Sequence, residues 1–176
     1  MSTAILHTSM GDIKIDLFPN HAPKTVANFV ELATGKREWV DPITGEKTSK
    51  NLYDGTVFHR VIANFMIQGG DPNSKDSSKG PETWGFGRPD QKKVPAEFND
   101  YSHVRGTLSA ARGEDVKSAD SQFFICVKDS EFLDGEYSAF GKVLKGMDIV
   151  DAIANAPRDE KTERLNQIVT MKISKK

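Results

Sequence analysis

Apolar and polar residues recur along this chain at two different periods. Asp12-Ile13-Lys14-Ile15-Asp16-Leu17-Phe18 has a period of two, with Ile13, Ile15 and Leu17 on one face and Asp12, Lys14 and Asp16 on the other. That is the pattern of a half-buried strand. Ala4 to Thr8 precedes it across Ser9-Met10-Gly11, which predicts a hairpin. Between Lys24 and Thr34 the period changes: Val26, Phe29, Val30 and Ala33 follow helical spacing. Pro23 suits the first turn of that helix and Gly35 a left-handed cap at its end. Met147, Ile149, Val150, Ile153 and Ala154 repeat the helical spacing within Met147 to Ala156, and Pro157 closes it. The rest is short and β-prone: Val57 to Ile62, Phe65 to Gly69, Gly106 to Ala111, Ser121 to Val127, Ser138 to Leu144 and Gln167 to Ser174. Val94 to Phe98 is predicted as an edge strand, since Pro95 is excluded from strand centres.

Eight or nine short strands with two distant helices and no repeats favour an antiparallel sheet or closed barrel over a parallel one. The helices would plug the barrel's open ends. Two polar stretches interrupt the pattern. Lys36 to Asn51 carries Trp39 and Val40 as its only large apolar side chains and is predicted as a surface insertion. Asn73 to Glu82 is rich in Ser, Lys, Asp and Gly and is predicted as a mobile loop. Thr83-Trp84-Gly85-Phe86-Gly87 after it either folds over a groove or staples the loop.

One hairpin carries unusual chemistry. With a corner at Ala63-Asn64, Arg60 faces Gln68 and Ile62 faces Met66, and all four share one face. A guanidinium cannot be deprotonated and brings five donors in a rigid fork, so it needs acceptors. Arg60 is either a rim residue that snorkels to water or a cation oriented by Gln68 for use. His59 points to the opposite face, toward the core, as a buried neutral histidine with one backbone partner.

Composition narrows what such a face can do. The chain has 176 residues, enough for one domain with a full core, here 1–176 with insertions near 36–51 and 73–83. A net charge of −1 gives no basic excess for nucleic acid. No apolar run reaches the roughly 20 residues that span a bilayer. No charged leader precedes an apolar stretch at the N-terminus, and the single cysteine, Cys126, allows no internal disulfide, which points to the cytoplasm. Cys126 sits in an apolar run and is expected to be an inert buried thiol. There is no phosphate loop, no dinucleotide fingerprint, no Cys-x-x-Cys, no His-Glu-x-x-His and no Gly-x-Ser-x-Gly elbow. A serine nucleophile with a histidine base stays open, unsupported by any motif. A face of Arg60, Met66 and Gln68 could bind a chain segment, or catalyse a reaction that needs neither proton nor electron transfer.

Phe58-His59-Arg60-Val61-Ile62 with Phe65-Met66-Ile67-Gln68-Gly69-Gly70-Asp71 resembles the signature of the cyclophilins, the peptidyl-prolyl cis-trans isomerases. The likeness continues in family order through Ala22 to Phe29, Leu52 to Phe58, Gly106 to Ala111, Ser121 to Ile125, Leu133-Asp134-Gly135 and Phe140 to Val143, covering roughly residues 4 to 174. It implies an all-β-dominated fold: a closed eight-stranded antiparallel barrel capped by two α-helices. It implies Arg60 as the catalytic residue, with Gln68 and Gln122 orienting Arg60 and the substrate backbone. Phe65, Met66, Phe124 and Leu133 would line the proline pocket, and the backbone of Ala111 and Arg112 would bond the residue before the proline. The chain departs from many eukaryotic members in three pocket residues: Phe132 for tryptophan, Tyr137 for histidine and Arg112 for asparagine. The Arg112 pattern looks bacterial. Loss of the indole N–H implies weak binding of cyclosporin. The 73–83 loop lacks the usual Gly-Thr-Gly-Gly, which bears on the secondary pocket upstream of the proline.

The resemblance thus implies an isomerase that needs no cofactor or metal, acts on proline-containing peptides and flexible protein segments, assists folding and works as a monomer. A proline-peptide binding module with incidental turnover is the reading from another class, and a hydrolase or metalloenzyme comes third.

Overall fold

The computed structural model describes residues 2–165 and 170–175. Strands β1 (Ser2–Thr8) and β2 (Gly11–Leu17) form the predicted hairpin, pairing Leu6 with Ile13 and Ala4 with Ile15. Helix α1 (Pro23–Thr34) starts on its proline and ends at Gly35, whose φ of 73° is left-handed. A Cβ at Gly35 would collide with the Ser49 carbonyl, so glycine is required there twice over.

Next come β3 (Trp39–Val40) and β4 (Lys47–Thr48), which pair with each other. The Lys36 to Asn51 stretch is therefore a folded hairpin, anchored where the sequence reading saw only surface. Trp39 is buried in the main core, its indole N–H donates to the Lys50 carbonyl at 2.7 Å, and the Lys75 ammonium lies 4.6 Å over its ring. One aromatic residue in a polar stretch was enough to fasten it, a signal that its polar composition masked.

The remaining strands are β5 (Thr56–Val57), β6 (Arg60–Ile62), β7 (Met66–Gly69), β8 (Thr107–Ala110), β9 (Phe123–Cys126) and β10 (Ala139–Lys145). Helix α2 (Met147–Ala154), a two-strand hairpin β11 (Arg158–Asp159) and β12 (Arg164–Leu165), and β13 (Thr170–Lys175) complete the described chain. The predicted last strand is present from Thr170; Gln167 to Val169 of it lie outside the described residues. Val94 makes a single bridge to Ala119 rather than an edge strand, since Pro95 has no N–H to extend a ladder. Asn73 to Glu82 runs from one 3-10 turn, Pro72–Lys75, into another, Pro81–Thr83, so both its ends have regular structure.

The fold is mostly β with two helices, but the sheet is not a closed eight-stranded barrel. Nine antiparallel strands run in the order β5-β13-β1-β2-β10-β8-β9-β7-β6, and no ladder joins β5 to β6. These two end strands are only Phe58-His59 apart in sequence, so the sheet curls until its edges approach without pairing. The cause is visible on β6: the Val61 N–H donates to the Glu163 carbonyl at 2.8 Å. The outer edge of β6 is taken by the β11–β12 hairpin. Register shifts along β10, at Ala139/Gly141 and Val143/Lys145, mark bulges where the sheet bends.

Inside the curl, Leu6, Ile13, Ile15, Phe123 and Phe140 meet Phe29 of α1 and Val150 and Ile153 of α2 in one core cluster. The Phe29 ring lies 5.1 Å from Tyr53, 5.5 Å from Phe140 and 5.8 Å from Phe123. Burying each such ring is worth about 1.5–3 kcal/mol, before any gain from the tilted geometry. Among the described residues no helix is long and apolar enough to cross a membrane.

Candidate active site

Strand alternation divides the β6–β7–β9 region between two faces. Val61, Ile67, Phe123 and Ile125 enter the main core. Met66, Phe124 and Cys126 turn the other way and form a second cluster with Ala111 and Leu133, against which Ile62, Phe65 and Tyr137 pack. The hairpin has the predicted register, Arg60 opposite Gln68 and Ile62 opposite Met66. Asn64 makes the corner at φ 61°, with the Phe65 N–H donating to the Ile62 carbonyl. Gln68 is opposite Phe124, and Phe124 opposite Ser109. A single row, Arg60-Gln68-Phe124-Ser109, thus crosses four adjacent strands.

A cavity of about 290 Å³ opens over this second cluster. Met66, Phe124 and Leu133 form its buried apolar floor, with Phe65, Phe132 and Tyr137 as walls. Arg60, Gln68, Ala111 and Arg112 complete the lining. Every residue assigned to the site from sequence lines it except Gln122, which lines an adjoining cavity of about 260 Å³ with Gln68, Gly85, Phe86 and Ala111. Phe132 is 71% exposed and stacks on Phe65 at 5.8 Å; Tyr137 stands edge-on to Phe124 at 5.6 Å.

The polar contacts differ from expectation in two respects. Gln68 does not hold Arg60: its amide nitrogen donates to Gln122 Oε1 at 3.2 Å. The group that engages Arg60 is Glu163, whose Oε2 accepts from Arg60 Nε at 3.2 Å across 103 residues of sequence. Nothing in the sequence around Glu163 marks that contact, because only the fold-back of the β11–β12 hairpin creates it. Gln122 in turn donates to the Gly85 carbonyl at 3.1 Å. That loop is fastened by the wholly buried Asp71, whose carboxylate accepts the Gly85 N–H at 2.6 Å and the Asn73 N–H at 3.1 Å. Thr83 to Gly87 thus does both things the sequence left open: Asp71 staples it, and Gly85 and Phe86 line the cavity beside Gln122.

Arg112 uses its side chain as a clasp. Nε and Nη2 donate to the Glu136 carbonyl, Nη1 to the Gly113 and Glu114 carbonyls, and the guanidinium lies 4.6 Å over the Tyr137 ring. The Ala111 N–H already donates to the Gln122 carbonyl at 3.0 Å, so Ala111 can offer a bound peptide its carbonyl oxygen.

Behind the floor, His103 stacks on Phe124 at 6.1 Å. Its Nδ1 pairs with Asp134 Oδ1 and its Nε2 with Ser109 Oγ, each at 2.8 Å. Burial works against charge on Asp134, but donors from the Ser102 hydroxyl and from His103 outweigh it and hold the carboxyl below its ordinary value. Ser109, His103 and Asp134 stand in the hydrogen-bond order of a hydrolase triad. Ser109, however, is 0% exposed, so no substrate carbonyl can reach it. The trio backs Phe124 and anchors the turn that carries Leu133.

Two further expectations are settled by burial. Burial, helped by the negative charges of Asp134 and Asp129, pushes the Cys126 thiol up to about 12, which makes it inert. His59 is buried and stays neutral: burial first, then the positive charge of Arg164, lowers it to about 4. The Val57 backbone and the Gln122 side chain beside the ring oppose that lowering only in part, since neither ring nitrogen makes a hydrogen bond of good geometry among the described residues.

A sequence profile of the family described as "Cyclophilin type peptidyl-prolyl cis-trans isomerase/CLD" matches residues 3–175. The chain is 47% identical over 163 residues to peptidyl-prolyl cis-trans isomerase B of Streptomyces anulatus, covering 92% of this chain and 88% of that one. It is 39% identical over 175 residues to peptidyl-prolyl cis-trans isomerase A of Mycobacterium tuberculosis, covering 98% and 91%. Among solved structures it resembles a cyclophilin type peptidyl-prolyl cis-trans isomerase of Cryptosporidium parvum, at 28% identity, 99% and 97% coverage and a TM-score of 0.77. A second structure of that protein, determined in the presence of the dipeptide Ala-Pro, gives 30% identity, 98% and 97% coverage and a TM-score of 0.74.

Proposed function

Since the chain belongs to the cyclophilin-type peptidyl-prolyl cis-trans isomerases, we propose that the Arg60 groove is where it accelerates rotation about X-Pro bonds. The observation that carries this reading is the juxtaposition of the Arg60 guanidinium, its terminal nitrogens unengaged among the described residues, with a buried apolar floor in the same cavity.

The amide C–N bond resists rotation with a barrier of about 18–20 kcal/mol, so X-Pro isomerisation takes tens of seconds unaided. No bond has to break. Rotation needs the loss of amide resonance, which pyramidalises the proline nitrogen and localises its lone pair. The pyrrolidine ring seats on Met66, Phe124 and Leu133 while the preceding carbonyl turns. The Arg60 guanidinium donates to the proline nitrogen or its carbonyl, an interaction that strengthens as the amide twists. Gln122, held between Gly85 and Gln68, and the Ala111 carbonyl hold the peptide backbone on either side. Reaching the millisecond range takes four to five orders of magnitude, or roughly 6–7 kcal/mol. A charged hydrogen bond supplies about 1.5–3 kcal/mol of that. Desolvation and backbone anchoring supply the remainder.

In this reading the substrates are proline-containing peptides and flexible protein segments, and the protein is a single-domain, monomeric folding helper in the cytoplasm. Cyclosporin binds weakly, because Phe132 brings no N–H to the rim. The test is cis-to-trans conversion of an Ala-Pro peptide by the wild type and by Arg60→Ala. A tenfold or greater loss in the variant supports the reading. Equal rates would remove Arg60 from the chemistry, and a wild type that binds without turnover would make the groove a binding module.

A further inference from the structure

We propose that Glu163 is a positioning residue for Arg60: it sets the direction of the guanidinium before substrate arrives. The inference rests on the reading of Arg60 given above. Glu163 touches β6 at two successive residues. Its carbonyl accepts the Val61 N–H at 2.8 Å, and its carboxylate accepts Arg60 Nε at 3.2 Å. A backbone bond and a side-chain bond from one residue fix both the place and the aim of the neighbouring arginine. Engaging Nε spares the two terminal nitrogens: no hydrogen bond ties Nη1 or Nη2 to another described residue. Those are the donors a bound peptide would use.

The conformation of Glu163 points the same way. Its φ is 60°, and only Asn64, the hairpin corner, shares a positive φ among the described non-glycine residues. Glycine or asparagine would adopt that backbone more readily than glutamate. The turn around it is built by other groups: the Glu163 N–H donates to the Asp159 carbonyl at 2.8 Å, and the Asp159 carboxylate accepts from Lys161 and Thr162. The hairpin therefore does not need a carboxylate at 163 for its own shape. What the carboxylate does is reach Arg60.

These facts separate a positioning role from a structural one. Glu163→Gly removes the carboxylate while relaxing the backbone, and Glu163→Gln keeps an oxygen acceptor without charge. We would measure kcat and KM on an Ala-Pro peptide, and thermal stability, for both variants in the wild-type and Arg60→Ala backgrounds. In Glu163→Gly, kcat should fall about two- to fivefold, the range of a half-exposed charge pair, with KM nearly unchanged and stability kept or raised. Glu163→Gln should lose less. In the Arg60→Ala background neither variant should cause a further loss. Wild-type kcat in Glu163→Gly, or an equal loss when Arg60 is already absent, overturns the inference. If Arg60→Ala itself turns over like wild type, the reading of Arg60 fails instead.

Discussion

At the scale of single residues, the three residues that the resemblance singled out as departures, Arg112, Phe132 and Tyr137, line the pocket without belonging to its buried floor. Phe132 is the most instructive, because it is 71% exposed yet stacks on Phe65. Its ring supplies area to a ligand but no donor. Phe132→Trp keeps the stacking and adds an N–H at the rim, so cyclosporin should bind roughly tenfold more tightly, the worth of one buried hydrogen bond. Fluorescence titration would read this directly through the new indole. Unchanged affinity would mean that another wall residue limits the inhibitor. Arg112 shows what residue identity alone leaves out. The resemblance gave a role to its backbone only, and four side-chain bonds to the Glu136, Gly113 and Glu114 carbonyls give the guanidinium a second one, holding the wall together.

At the scale of elements, local periodicity made the hairpins and helices legible. The register of β6 on β7 followed from a corner at Asn64, and with it the shared face of Arg60, Met66 and Gln68. The boundaries of α1 followed from Pro23 and Gly35. Contacts made by chain return were not legible. Glu163 on Arg60 and Asp134 on His103 depend on segments that come back from 103 and 31 residues away, and no local pattern encodes such a meeting. The β3–β4 hairpin lies between these cases. Its polar composition hid the one residue, Trp39, that fastens it to the core. Trp39→Ala should cost about 3 kcal/mol or more of unfolding free energy, measured by urea denaturation, because it empties a buried site and orphans the Lys50 carbonyl. Isomerase activity should be unchanged, since Trp39 lines no part of the Arg60 groove. A neutral effect on stability would return this segment to the status of a surface loop.

At the scale of the whole molecule, the antiparallel, mostly β character with two helices was readable, while the number of strands and the closure were not. Whether a sheet closes depends on what covers its last edge, and here the β11–β12 hairpin takes the outer edge of β6 through Val61. The two edges approach at Phe58-His59, which buries a histidine at the seam. His59 titrates at about 4 when folded, against 6.5 for a free side chain. The unfolded chain therefore takes up a proton as pH falls through about 6.5, while the folded chain does so only near 4. Stability is full above pH 6.5 and is lost progressively between 6.5 and 4, by up to about 3 kcal/mol from this group alone. Thermal melts of wild type and His59→Phe across that window should diverge, with the variant losing less on acidification. Parallel curves would show that His59 finds a proton-accepting partner in the folded state.

The central claim, that the Arg60 guanidinium acts on the twisted amide and not on the bound ground state, is tested most directly by exchange NMR. An Ala-Pro peptide at saturating enzyme reports catalysed rotation and affinity in one sample. Replacing Arg60 by alanine should slow the bound exchange rate about ten- to a hundredfold, the 1.5–3 kcal/mol of one charged hydrogen bond, while the dissociation constant moves by less than a few-fold. A variant whose exchange rate stays at the wild-type value, or whose loss appears wholly in affinity, would contradict it.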